Sequence, residues 1–440
     1  MKTQLARARW FRIIPIVFIT YSLAYLDRAN FGFAAAGGMT EDLQISKGMS
    51  SLLGSLFFLG YFFFQIPGAQ YAAHKSAKKL IFFSLILWGG LAAATGMVSN
   101  IGALIVIRFM LGVVESAVMP AMLILLSQWF TKEERSRANT FLILGNPVTV
   151  LWMSVLSGYL VSSLGWRWMF IIQGVPGIIW AFIWWKMIDE KPKNADWLTD
   201  EEKRAVDEKL LEEQQGIKPV KNYAEAFKSK EVILLCLQYL LWSLGVYGFV
   251  MWLPSIIKAA PDMDIVTTGW LSAVPYILAI TGMLAASYFA DKTLNRKLFI
   301  WPFLVVAAIS LFGGYLVGTG HFWVSFTLLV ISGGALYAPY GPFFAVITEM
   351  LPRNVAGGAL GLINSMGALG SFIGSYLVGY LNGVTGNFGA SYILMSAAVL
   401  LSAFITIVIV KDPKRAAQSS ASLTGLETRA DIFVLSNSSS

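Results

Sequence analysis

Four charged residues stand inside otherwise apolar runs: Asp27, Arg28, Arg108 and Glu115. The planar fork of an arginine matches a carboxylate through two parallel hydrogen bonds. A carboxylate held beside such a base can trade a proton against a bound anion. Two acids and two bases therefore make a minimal device for binding an organic anion and coupling it to protons. The same four residues could instead form a purely structural ion-pair set. Arg108 and Glu115 are seven apart, which puts them on one helix face about 10 Å apart along the axis. Asp27 and Arg28 are adjacent and cannot point in one direction. The second half of the chain offers neutral groups in place of charges: Gln238, Tyr247, Asn364 and Ser365. These suit substrate hydroxyls, and helix packing explains any one of them equally well.

The elements that carry these residues follow from composition. Of 440 residues 56% are hydrophobic and only 13% are charged. The mean hydropathy is +0.65. A soluble domain carries about 25% charge, so this chain is built for a solvent other than water. Apolar runs long enough to span a bilayer, about 20 residues each, recur over 11–35, 49–73, 79–98, 101–127, 137–163, 167–187, 231–257, 266–290, 297–317, 323–348, 355–382 and 388–410. Backbone groups in lipid must be satisfied within the segment, so the runs are helices. The expected fold is an all-α membrane protein of twelve transmembrane helices. The first run is too long for the core of a cleavable signal.

Bases cluster in alternate loops: Arg7, Arg9 and Arg12; Lys75, Lys78 and Lys79; Lys132, Arg135 and Arg137; Lys292, Arg296 and Lys297; Lys411, Lys414 and Arg415. The positive-inside rule puts these loops and both termini on the cytoplasmic side of the membrane. The surplus of 33 bases over 25 acids is thereby assigned to loops, and no nucleic-acid partner is expected. The lone Cys236 excludes a disulfide framework or a multi-thiolate metal site. His74 and His321 fall in separate loops, so no metal and no cofactor are expected. No nucleophile constellation of an enzyme is evident, and a monomer is expected.

Residues 1–187 read as one six-helix bundle and 231–412 as a second. Between them, 188–230 holds 11 of the 25 acidic residues. Thr199 and Glu202 there form a capping-box pattern, with Leu198 as staple and Val206, Leu210 and Leu211 on one face. Residues 413–440 read as a polar, disordered tail. The halves echo each other. Pro120, Gly145-Asn146 and Ser157-Gly158-Tyr159-Leu160-Val161 have counterparts in Pro339, Ile363-Asn364 and Val378-Gly379-Tyr380-Leu381. Repeated halves suggest pseudo-twofold symmetry and a site at their interface near the midplane.

Three strings carry a family resemblance. Tyr25-Leu26-Asp27-Arg28-Ala29-Asn30 resembles Y-x-D-R-x-N. The string from Arg108 through Gly112 to Glu115 resembles R-x-x-x-G-x-x-E. Trp129-Phe130 with Glu134-Arg135 resembles W-F-x-x-x-E-R. All three are similar to motifs of the major facilitator superfamily, and within it of the anion:cation symporters of sugar acids. The resemblance covers residues 10–412. It implies a proton-coupled symporter importing an aldonate, hexuronate or aldarate; an antiporter, a uniporter, or an importer of tartrate or an aromatic acid are the alternatives. Carried over by position, Arg28 and Arg108 contact the substrate carboxylate, and Asp27 and Glu115 are the proton-linked acids. Tyr25, Tyr61, Asn146 and Asn364 fall at polar or aromatic cavity positions. One departure stands out. The family's 2–3 loop motif carries an acid where this chain has Ala73, and its second glycine is Ser76, which puts the usual latch of that loop in doubt.

Overall fold

The computed structural model describes residues 7–214, 230–293, 295–318, 320–350 and 353–409. The expected tail and part of the central loop lie outside these residues, as does the side chain of Asp27. Among the described residues there is no strand. In chain order the helices are α1 (Ala8–Ala34), α2 (Lys47–His74), α3 (Ala77–Met97), α4 (Ile101–Ser116), α5 (Val118–Trp129), α6 (Lys132–Met187), α7 (Asp200–Gln214), α8 (Lys230–Lys258), α9 (Ile265–Thr293), α10 (Trp301–Val317), α11 (Phe322–Tyr337), α12 (Tyr340–Met350), α13 (Arg353–Thr385) and α14 (Gly389–Ile409).

Among the described residues, 11 helical stretches are long and apolar enough to cross a membrane, and they make twelve passes. The 56 residues of α6 are broken at Gly165, whose φ of 84° and ψ of 166° suit glycine alone. The chain reverses there, so α6 supplies the fifth and sixth passes. The fourth and tenth passes are each interrupted halfway. Ala117 separates α4 from α5, and Ala338-Pro339 separates α11 from α12. Matching breaks at matching places in the two halves bear out the pseudo-symmetric pair of six-helix bundles.

The halves meet along three seams: α1 with α8, α2 with α13, and α6 with α9. Without a hydrophobic drive between helices in lipid, small residues set how closely they approach. A Cβ added to Gly158 on α6 would lie 2.8 Å from the Ile265 carbonyl oxygen at the start of α9; one on Gly379 of α13 would lie 1.9 Å from Ser51 Oγ and 2.0 Å from Trp252. One on Gly32 of α1 would lie 2.3 Å from the Met251 carbonyl oxygen of α8. All three contacts lie toward the end remote from the basic loops, and there the halves are pressed together. Gly361, at the opposite end of α13, has nothing within 4 Å of its missing side chain. We expect Gly158→Val to pry this seal open. In a Cys236→Ala background, a cysteine at Ser154 should react faster with maleimide in detergent once the valine is present. An unchanged rate would show that the seam does not depend on close backbone approach.

At the basic-loop end the central segment docks onto the first bundle. The α7 cap forms as a reciprocal pair: Thr199 N donates to Glu202 Oε2 (3.0 Å), and Glu202 N donates to Thr199 Oγ1 (3.3 Å). Leu198 and Val206 are buried, but Leu211 is 59% exposed. The apolar face of α7 is therefore narrower than the sequence spacing suggests. Trp197 stacks on Trp129 with centroids 5.4 Å apart, and Arg12 covers the Trp197 ring. Glu190 accepts from Ala77 N (2.9 Å) and Lys78 N (3.1 Å), placing a carboxylate on the N-terminus of α3, where the helix dipole favours it.

Glu134 anchors the same region. Its carboxylate takes both arms of the Arg9 guanidinium, at 3.0 and 3.3 Å, and accepts from Thr131 N at 3.2 Å. Burial pushes this carboxyl up, but Arg9, the Thr131 backbone and the Trp10 indole outweigh it and hold it below the ordinary 4.5. A depressed folded-state value means that Glu134 stabilises the fold above the ordinary range, and that this contribution disappears as pH falls through the folded value. The melting temperature of the full chain should exceed that of Glu134→Gln at neutral pH. The two should converge as pH drops well below 4.5; a gap independent of pH would refute the ionic role.

Candidate functional site

Between the halves lies a cavity of about 550 Å³, counting the part open to solvent. The first half lines it with Tyr21 and Arg28 of α1, Phe57, Phe58 and Tyr61 of α2, Met119 of α5, and Ile143 and Asn146 of α6. The second half contributes Tyr239, Ser243 and Tyr247 of α8, Tyr340 and Phe344 of α12, and Asn364, Gly367, Ala368 and Ser371 of α13. Most of these sets have helical spacing: Tyr239, Ser243 and Tyr247 follow at every fourth residue, as do Tyr340 and Phe344. That spacing is legible in the sequence, but it is equally the signature of a helix core, and nothing in the sequence separates the two.

Arg28 is the charged residue among those that line the cavity. Its guanidinium lies over the rings of Tyr25 (4.7 Å), Tyr61 (5.1 Å) and Phe57 (5.6 Å), each within reach of a cation–π attraction. Its ionic partner is Glu115: Nη2 to Oε2 is 3.6 Å, with the acid fully buried. Glu115 sits just before the break between α4 and α5.

The glycine of the Arg108–Glu115 string explains how these residues are delivered. A Cβ on Gly112 would lie 1.8 Å from the Phe57 carbonyl oxygen, so α4 and α2 touch backbone to backbone there. The two charges flanking Gly112 are pressed against α2 and go different ways. Glu115 reaches Arg28. Arg108 Nε donates to the Leu53 carbonyl (3.2 Å), and its guanidinium covers the Phe31 ring (4.8 Å). Arg108 is 1% exposed and is not among the cavity-lining residues.

Of the residues singled out from the sequence, Arg28, Tyr61, Asn146, Tyr247 and Asn364 line the cavity. Tyr25 lies behind it, and its hydroxyl pairs with that of Tyr247 across the two halves at 3.2 Å. Gln238 is turned away: its amide donates to Thr406 Oγ1 (2.9 Å), binding α8 to α14. Gln65 of α2 accepts from Ser365 of the other half at 3.2 Å.

Two pseudo-symmetric bundles enclosing a cavity, sealed at one end and with a buried ion pair in its wall, define a multi-pass membrane transporter rather than an enzyme. The chain belongs to the major facilitator superfamily, whose sequence profile matches residues 17–375 and 267–435. It is 29% identical to a quinolone resistance transporter of Acinetobacter baumannii, over 91% of this chain and 93% of that one. It is 26% identical to the D-galactonate transporter of Escherichia coli, over 93% and 97%. The fold superposes on the inward-open xylose transporter XylE of E. coli with a TM-score of 0.74 at 14% identity, covering 92% and 97% of the two chains.

Proposed function

We propose that this protein imports a small organic anion together with protons by alternating access, in a bacterial inner membrane with both termini cytoplasmic. The observation that carries the proposal is the Arg28–Glu115 pair at 3.6 Å, with the arginine on the cavity wall and the acid behind it. A substrate carboxylate entering the cavity competes with Glu115 for the guanidinium. Protonation of Glu115 cancels the acid's charge and leaves Arg28 to the substrate, and loss of that proton returns Arg28 to Glu115 and expels the anion. Asp27, next to Arg28 in the chain, is the second acid in this scheme. Tyr61, Tyr247, Asn146 and Asn364 contact the remainder of the substrate, and Tyr25 fixes the plane of Arg28. Arg108 holds α2 against α4 and so sets where Arg28 and Glu115 meet.

A sugar acid is one candidate cargo, supported by the similarity to a galactonate transporter. Drug export is a second reading, which the similarity to a quinolone resistance transporter favours. A cation exporter needs acids without an arginine in the cavity, and Arg28 argues against it. The test is uptake into proteoliposomes. An inward proton gradient should drive galactonate or another organic acid above its equilibrium level, and a protonophore should abolish this. Proton-independent equilibration would leave a uniporter; outward extrusion of a cationic drug in exchange for protons would establish the rival.

A further inference from the structure

We infer that Gly367 of α13 sets the size of the cargo that the cavity admits, by letting the Tyr239 ring lie back against that helix. The inference rests on the reading that this cavity holds the cargo, and it is independent of the cargo's charge. Gly367 is buried and lines the cavity beside Tyr239 and Ser243. A Cβ added to it would overlap the Tyr239 ring, at 2.5 Å from Cδ1 and closer still to Cε1, and would stand 3.1 Å from Ser243 Oγ. Glycine is a poor helix former. Gly367 lies in the interior of a 33-residue helix, so its place there calls for a packing reason.

Close helix approach is the ordinary reason in a membrane, and it accounts for the next two glycines of this face. A Cβ on Gly370 or Gly374 would strike the carbonyl oxygen of Leu240 or Leu244, so α13 and α8 touch backbone to backbone there. Gly367 differs, because what stands against it is a side chain of the cavity wall. The spacing of the two helices is held by the contacts at Gly370 and Gly374, and by the Trp252 indole donating to the Ser375 carbonyl (2.9 Å). A methyl group at position 367 is therefore not accommodated by parting the helices.

The ring has no room to retreat either. Tyr239 stacks on Phe343 (5.1 Å, 23°) and meets Trp242 (5.7 Å) and Phe344 (5.8 Å) edge-on. Phe343 and Trp242 are themselves buried, and a packed interior does not yield by the width of a ring. The cavity is the open side, so a displaced ring moves into it. A cargo that fills the cavity meets that ring, and a small one does not.

The test uses the full chain in detergent, with Cys236→Ala removing the native thiol and Asn146→Cys placing a reporter on the first-half wall of the cavity. Two uncharged reagents are compared, methyl methanethiosulfonate and benzyl methanethiosulfonate, so that Arg28 does not bias them. Adding Gly367→Ala should leave the methyl rate unchanged and slow the benzyl rate roughly tenfold, the order of penalty that overpacking by a methyl group carries. In a Tyr239→Leu background the same alanine should make no difference. Tyr239→Leu by itself should speed the benzyl reagent, which keeps the inference open to refutation if Gly367→Ala does not fold. Equal slowing of both reagents, an unchanged benzyl rate in either single variant, or an alanine effect that survives Tyr239→Leu overturns it. Calorimetric titration of glycerate and gluconate reads the consequence for cargo. Gly367→Ala should weaken gluconate severalfold more than glycerate, and equal weakening overturns the specificity role. Binding of neither acid by the wild-type chain counts against the organic-anion reading and not against Gly367, whose role the two reagents test without a cargo.

Discussion

Replacement of Glu115 by glutamine is expected to separate exchange from accumulation. The amide keeps the size of the acid and imitates its protonated form. Arg28 then loses its ionic partner at 3.6 Å and stays available to substrate throughout the cycle. Exchange of labelled for unlabelled substrate across the membrane moves no net proton, so it should persist at a rate comparable to wild type. Accumulation driven by a pH gradient needs the acid to release its proton on the inner side, and should fall to the level of simple equilibration. Removing one member of a buried pair costs about 3–5 kcal/mol when it strands a charge. Here the stranded Arg28 keeps the faces of Tyr25, Tyr61 and Phe57 around it, and the amide oxygen can still accept a hydrogen bond. We therefore expect a folded but less stable protein, confirmed by its elution as a single species. The parallel variant Asp27→Asn completes the test. If both amide variants still concentrate substrate against its gradient, neither acid carries the transported proton.

The second large effect is expected at Arg28. A lysine there keeps the charge but replaces the planar fork by a point charge. It also gives up a guanidinium that three rings now hold in place. Losing a bidentate, charge-assisted contact costs on the order of 1.5–3 kcal/mol, a drop in substrate affinity of roughly 10- to 100-fold. Arg108→Lys is the control. Its guanidinium contacts a backbone carbonyl and a ring, not the cavity, so its effect on affinity should be smaller and should come with a loss of thermal stability. A calorimetric titration of both variants decides between them. Wild-type affinity in Arg28→Lys would remove the carboxylate contact on which the proposed function stands. A larger loss at Arg108 than at Arg28 would mean that the cavity rearranges to bring Arg108 inside.

As sequence positions, Arg28 and Arg108 look alike: each is a lone base in an apolar run, and each is followed or preceded by an acid. Their difference comes from α2. The Leu53 carbonyl lies where α4 presents Arg108 and captures it, whereas Arg28 projects from α1 into the gap between the halves. Gln238 shows the same limit. It is a polar residue in an apolar helix, and only the position of Thr406 on α14 shows that it serves packing. Tyr239, Ser243, Tyr340 and Phe344 have helical spacing in the sequence, but a ring facing a cavity and a ring facing a core have the same sequence signature.

The sequence by itself determined the solvent, the secondary structure, the number of passes and the doubling of the halves. Lipid leaves a backbone no alternative to helices of a set length, so apolar run length is enough to count them. It also determined that Asp27, Arg28, Arg108 and Glu115 are exceptional, because a charge in a membrane must find a partner. Which partner each finds was decided by the tertiary structure alone. Helical periodicity fixes the face on which a residue lies but says nothing of what stands opposite. Here the close approach at Gly112 sends Glu115 to Arg28 and Arg108 to Leu53, and α2, α8 and α12 bring to one cavity rings that are scattered in the sequence.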